Sequence, residues 1–153
     1  MNTTQTLILT CWLMGAALVV VISGCGGGDS TASGQALPKA QFIKRASSIC
    51  ENSEGEQLQM MFAYAKKHPG AEEEEMVKPA ALPPLEQELE DIKSLGAPEG
   101  DEAEIDAWLK EFEATIKKVT TNPGSILNLQ NNPFDQANKM IAKYGLDKCA
   151  TAP

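Results

Sequence analysis

From Lys39 onward, apolar positions recur with the helical period of about 3.6 residues, and no stretch alternates with period two. The pattern predicts a first helix from about Lys39 to Lys67, with Phe42, Ile43, Ala46, Ile49, Cys50, Met60, Met61 and Tyr64 on one broad face. Gly55 in its middle costs about 1 kcal/mol against alanine and marks a place for a bend. Lys66, Lys67 and His68 complement the negative end of the helix dipole, and Pro69-Gly70 end the element. The glutamates that open Glu72 to Ala81 favour a positive helix N-terminus and predict a short helix there. Pro83-Pro84 then open another, with the stripe Leu85, Leu89, Ile92 and Leu95, stopped by Gly96-Ala97-Pro98. Asp101, with Glu104 reaching back, caps a third long helix whose stripe is Ile105, Trp108, Leu109, Phe112, Ile116 and Val119. Asn122-Pro123-Gly124 closes it, and Ile126, Leu127 and Leu129 form a brief apolar segment of no assigned structure. A last helix takes Asn132 as cap and Pro133 as first residue, and turns Phe134, Ala137, Ile141 and Tyr144 inward. Gly145 fits the left-handed position past its end, with Leu146 folding back. The expected fold class is all-α, a small antiparallel bundle of about four to five helices joined by short connections.

Ahead of the bundle the pattern changes. Thr6 to Ser23 carries no charge, and every one of the 13 Lys/Arg and 21 Asp/Glu follows it. An apolar run ending in small residues reads as the hydrophobic region and cleavage site of an export signal. The run ends Ile22-Ser23-Gly24-Cys25, an aliphatic residue, two small ones and a cysteine, which resembles the lipobox of bacterial lipoproteins. The resemblance implies that the Cys25 thiol takes a diacylglyceryl group, that the bond between Gly24 and Cys25 is cut, and that acyl chains of the palmitate class anchor the product. The implied organisation is a cleaved signal over 1–24, a lipidated cysteine with a Gly/Ser-rich tether over 25–38, and a helical extracytoplasmic domain over 39–153. Met1-Asn2-Thr3-Thr4-Gln5 lacks the Lys or Arg with which such signals open. Three alternatives therefore stay open: a different start site, an uncleaved single-pass anchor of about 18 apolar residues, and a free secreted protein. Gly26 to Gln35 is too polar to pack, and with no strand before its glycines and no Gly-Lys-Ser/Thr after them it is a tether rather than a phosphate loop.

Composition adds little about chemistry. Removing signal and tether leaves about 115 residues, enough to bury roughly two thirds of the unfolded surface without help from a metal or partner. Of the four cysteines, Cys11 leaves with the signal and Cys25 is consumed by lipid. Cys50 and Cys149 remain, and an oxidising compartment lets them form a disulfide. The single histidine, His68, stands at a helix end without a Gly-x-Ser-x-Gly elbow or a Cys-x-x-Cys, so no catalytic residue, metal ligand or cofactor is assigned and no enzyme is expected. Thirteen acids against Lys78 and Lys93 lie between Glu72 and Asp106 in a chain of net charge −8. This is read first as a solvated face, with weak cation adsorption or a basic partner as alternatives, and it repels nucleic acid.

Phe42-Ile43-x-x-Ala46-x-x-Ile49-Cys50, the entry Ala97-Pro98-Glu99-Gly100-Asp101-Glu102, and the ending Asn132-Pro133-Phe134 … Tyr144-Gly145-Leu146 … Cys149 together resemble a group of small actinobacterial surface lipoproteins. That resemblance implies a location and a one-disulfide helical fold, and no activity. One apolar feature exceeds what a core stripe needs: Leu58, Phe62 and Ala65 point away from Met60 and Tyr64. The first expectation is that Met76, Val77 and Leu82 cover this second face. The alternative is a binding patch of Leu58, Met61, Phe62 and Ala65 for a hydrophobic ligand or a partner helix, with methionine as an adaptable wall. The functional expectation is a membrane-anchored extracytoplasmic lipoprotein acting as a non-catalytic binding or structural module of the cell envelope. Its partners are the membrane, through the lipid, and an envelope protein or a hydrophobic ligand.

Overall fold

A computed structural model describes residues 36–150. The lipobox, Gly24, Cys25 and most of the tether lie outside the described residues. Within them the chain is helical, with no strand. Helix α1 spans Lys39–Lys67, and α2 is a single turn, Glu73–Met76. A π-helical turn, Val77–Ala81, leads directly into α3, Leu82–Leu95. Helix α4 spans Glu102–Thr121, a 3-10 turn covers Pro123–Leu127, and α5 spans Asp135–Tyr144.

The buried stripe of α1 runs Phe42, Ala46, Cys50, Ser53, Gln57, at helical spacing. It differs from the expected stripe in its second half, where two polar side chains take the inward positions. Met60 is exposed instead, while Met61 and Tyr64 are only half-buried. The reason lies opposite. Pro79, Pro83 and Pro84 have no N–H, so helical bonding thins along this segment. The chain answers with the wider turn, in which the Leu82 N–H donates to Val77 O rather than to the next carbonyl along. Gln57 Nε2 donates to Ala81 O at 3.0 Å, and Ser53 Oγ donates to Pro84 O at 3.1 Å. Polar groups on α1 thus reach backbone carbonyls of the proline segment across the interface, which gives both buried side chains a partner. These pairings also show α1 and α3 to be antiparallel, since Ser53 precedes Gln57 while Pro84 follows Ala81.

Helix α4 buries all six expected residues and adds Thr115. Its ring pair Trp108 and Phe112, 5.7 Å between centroids, continues to Phe134 ahead of α5 at 5.5 Å. The expected reciprocal cap of Asp101 and Glu104 does not form. Asp101 turns away from its own helix: Tyr144 Oη donates to its Oδ2 at 2.7 Å, and Lys39 Nζ lies 3.2 Å from the same atom. Lys39 also sits 3.9 Å over the Tyr144 ring. One carboxylate therefore ties the start of α1, the start of α4 and the end of α5, which offsets the lost cap. The Tyr144 and Lys39 hydrogen bonds hold the Asp101 carboxyl below the usual aspartate range, and burial together with Asp101 pushes the Tyr144 phenol up. Helix α5 starts later than the expected Asn132 cap and Pro133, at Asp135 with Phe134 as its N-cap. Asn132 Oδ1 instead accepts from the Phe134 N–H at 2.8 Å in the turn before the helix. Gly145 takes the left-handed conformation at φ 103°, and Leu146 N–H reaches back to Ile141 O, burying Leu146 completely.

Cys50 and Cys149 are joined as a disulfide, with Cα atoms 5.1 Å apart and a sequence separation of 99. It binds the middle of α1 to the chain just past α5. Replacing both cysteines by alanine is expected to remove about 2–4 kcal/mol and to lower Tm by about 10 °C or more, read by circular dichroism on the full chain. Two titratable thiols in the unreduced native protein, or an unchanged Tm, would contradict the assignment.

Candidate functional site

The charge-free stretch Gln57 to Ala65 is the first candidate. Leu58 is 51% exposed and Phe62 74% exposed, and Ala65 lies in solvent beside them. Met61 is set apart from these three: it turns toward the core and packs partly against it. The expectation that Met76, Val77 and Leu82 cover the second face is overturned. Val77 and Leu82 are buried, in the core cluster that α1 meets with its other face, and Met76 is half-buried. The segment that could have crossed over Phe62 is held against Gln57 through Ala81 O instead. An enclosing apolar groove is not what Phe62 belongs to, because no wall closes over a ring so exposed. His68 is stacked on Tyr64, with centroids 4.3 Å apart, at the far end of the same helix.

The second candidate is one that sequence reasoning missed. Glu88 is only 5% exposed, on α3 between Leu85 and Leu89. Its carboxylate lies within 4.8 Å of the Cys50 and Cys149 sulfurs. Burial pushes its carboxyl up to about 7, against a smaller downward pull from the Ser53 hydroxyl. A hydroxyl has one hydrogen, and Ser53 gives it to Pro84 O. Protonated Glu88 can donate to Ser53 Oγ in turn, whereas ionised Glu88 must compete with that carbonyl for the same hydrogen. The signal in the sequence was the spacing: 85, 88, 89 and 92 form one helical face, and 50, 53 and 57 form the face opposite. A cleft of about 140 Å³ opens beside it, lined by Asn52, Ser53, Glu56, Gln87, Glu88 and Asp91. The two sulfurs are bonded to each other, so with Glu88 they make no metal centre in the oxidised protein.

A larger surface cleft, about 480 Å³, runs between α3 and α4. Its floor is Leu89 and Ile116, and its rim carries Glu86, Glu90, Glu113 and Lys117. Glu113 accepts from Lys117 at 2.7 Å and from Lys93 at 3.1 Å, which holds its carboxyl below the usual range. Oppositely charged chains already neutralise one another across this rim, leaving an open, self-satisfied surface. In the acidic run, Glu72 and Glu75 form a reciprocal cap on α2, so these two carboxylates have a structural task besides solubility.

Among the described residues no helix is long and apolar enough to cross a membrane. Comparison with protein-family models, with curated proteins and with solved structures returned no match.

The Glu88 geometry yields a pH dependence whose sign is set by burial. The folded protein holds this proton up to about pH 7, whereas the unfolded chain releases it near the ordinary glutamate value of about 4.3. Between those values the folded state binds more protons, so stability falls as pH rises through 7. Glu88→Gln keeps the shape and removes the charge. It is expected to match the parent at pH 4 and to exceed it by ~1–3 kcal/mol at pH 8 in urea denaturation. An equal difference at both pH values would contradict the buried-acid account.

Proposed function

We propose that this chain is a lipid-anchored, extracytoplasmic module of the cell envelope that binds a protein partner through the outer face of α1. The observation that carries the binding role is the exposure of Leu58 and Phe62 on nine consecutive uncharged residues of a helix, in a chain that is 22% charged. Contiguous exposed apolar side chains mark interaction surfaces more often than scattered ones do, which supports a docking role for this face. The anchoring role rests on Ile22-Ser23-Gly24-Cys25 and on the uncharged run before it. The Cys50–Cys149 disulfide supports it, because such bonds persist in oxidising compartments outside the cytosol. Two or more acyl chains hold a protein on a bilayer stably where one does not. The tether then lets the bundle sample partners close to the surface. No catalytic step is assigned. Glu88 faces a disulfide and a narrow cleft, which fits control of stability better than turnover.

Cys25→Ala tests the anchor. Lipidation needs a thiol at this position, so the variant is expected to remain a longer, unlipidated precursor. Intact mass of the wild-type protein extracted from membranes should show loss of residues 1–24 and addition of acyl chains. A wild-type mass that retains Met1 to Gly24 and lacks lipid would contradict the proposal.

A further inference from the structure

We infer that the partner seated on the outer face of α1 is a second copy of this chain, packed antiparallel. The inference rests on the docking role proposed above and names its occupant. Stepping about 100° per residue places Glu51, Gly55, Leu58, Phe62 and Lys66 in one strip roughly 80° wide and about 22 Å long. All but Gly55 are exposed, and Gly55 is half-buried. The strip has an acid at one end, a base at the other and apolar side chains between. That order is self-complementary when the copy runs the other way.

With the two-fold axis between Leu58 and Gln59, the two Leu58 side chains meet at the centre. Phe62 of each copy lies over Gly55 of the other, and Lys66 of each faces Glu51 of the other. The place where Phe62 lands is open: a Cβ built on Gly55 would meet nothing within 4 Å. Nothing in this chain's own fold therefore asks for glycine there, and alanine would favour the helix by about 1 kcal/mol. A ring set onto a glycine is a knob in a hole, which gives the missing side chain a reason. Glu51 already holds Lys148 through Oε1 at 3.0 Å, and the pair is exposed, so the Glu51 carboxylate stays accessible to Lys66. The apolar strip is small, so the pair is weak in dilute solution. Lipid anchors confine both copies to one surface, and that effective concentration supplies the difference. A two-fold axis normal to the membrane lets both tethers reach the same bilayer.

The test replaces Phe62 by photo-reactive benzoylphenylalanine in the full-length chain, displayed in a bacterial envelope and illuminated. The expected product has twice the chain's mass, contains this chain's peptides only, and is joined to the segment 54–56. A product joined to a different protein overturns self-association while the docking reading stands. No product at all overturns both. A second arm uses charge: Lys66→Glu is expected to cut the homodimer yield at least ~5-fold, and adding Glu51→Lys in the same chain is expected to restore it. Circular dichroism of each variant confirms the fold. A yield that ignores Lys66→Glu, or is not recovered in the double variant, overturns the antiparallel arrangement.

Discussion

Cys50 sits on the inward stripe of α1, Cys149 lies just past the turn that ends α5, and the covalent bond between them governs how the rest of the bundle can pack. Without it, α5 is a ten-residue helix, a length that is marginal on its own in water. With it, the ending Gly145-Leu146 is drawn onto α1, and Leu146 and Phe42 are both fully buried. Tyr144 packs edge-on against Phe42 at 6.1 Å and delivers its hydroxyl to Asp101. The disulfide and the Asp101 clasp therefore both hold the end of α5 against α1, the one at its middle and the other at its start. Unfolding of α5 has to break the Asp101 clasp and the Phe42–Tyr144 contact, while the disulfide still tethers the chain just past its end.

Beside the bond lies the least expected feature of the interior. Glu88 is an acid held beside two sulfurs and a proline carbonyl, in a place where charge is costly. Its burial follows from geometry: α3 must present 85, 89 and 92 to α1 and α4, and position 88 falls inside that arc. Ser53 and Gln57 opposite make the arc tolerable by bonding to backbone rather than to each other. The interface of α1 with α3 is thus polar at its heart and apolar at its edges. Beyond Gln57, Met61 still turns toward the core, whereas Phe62 lies on the opposite face of α1 and is left outside.

Where a stripe was strictly amphipathic, reading the chain was enough. Ile105 through Val119 on α4 and Phe134 through Leu146 at the end of the chain occupy the core as their spacing required. The failures have physical causes of one kind, in which a polar or proline residue takes a tertiary partner. Asp101 serves Tyr144 and Lys39, a relation across 43 residues that no local capping rule contains. Pro83-Pro84 mark a boundary between two separate helices in the sequence pattern, whereas a π-helical turn joins them. Met76, Val77 and Leu82 were expected over Phe62 because they are apolar and nearby in sequence, yet the Gln57 hydrogen bond sets the register that sends Val77 and Leu82 to the core. Of the candidate patch, Leu58, Phe62 and Ala65 keep one face, and Met61 leaves it. The lipobox and Cys25 remain a matter of sequence alone.

The account stands on the outer face of α1 being covered in the envelope and bare in isolation. Hydroxyl-radical footprinting of the full-length protein, first in intact envelopes and then purified, measures this directly. Leu129, 91% exposed and outside α1 in the chain, serves as the internal reference. The account predicts strong labelling of Leu58 and Phe62 in the purified protein at low concentration and marked protection of both in the envelope, with Leu129 labelled alike in the two. Equal labelling of Phe62 and Leu129 in both settings would contradict it.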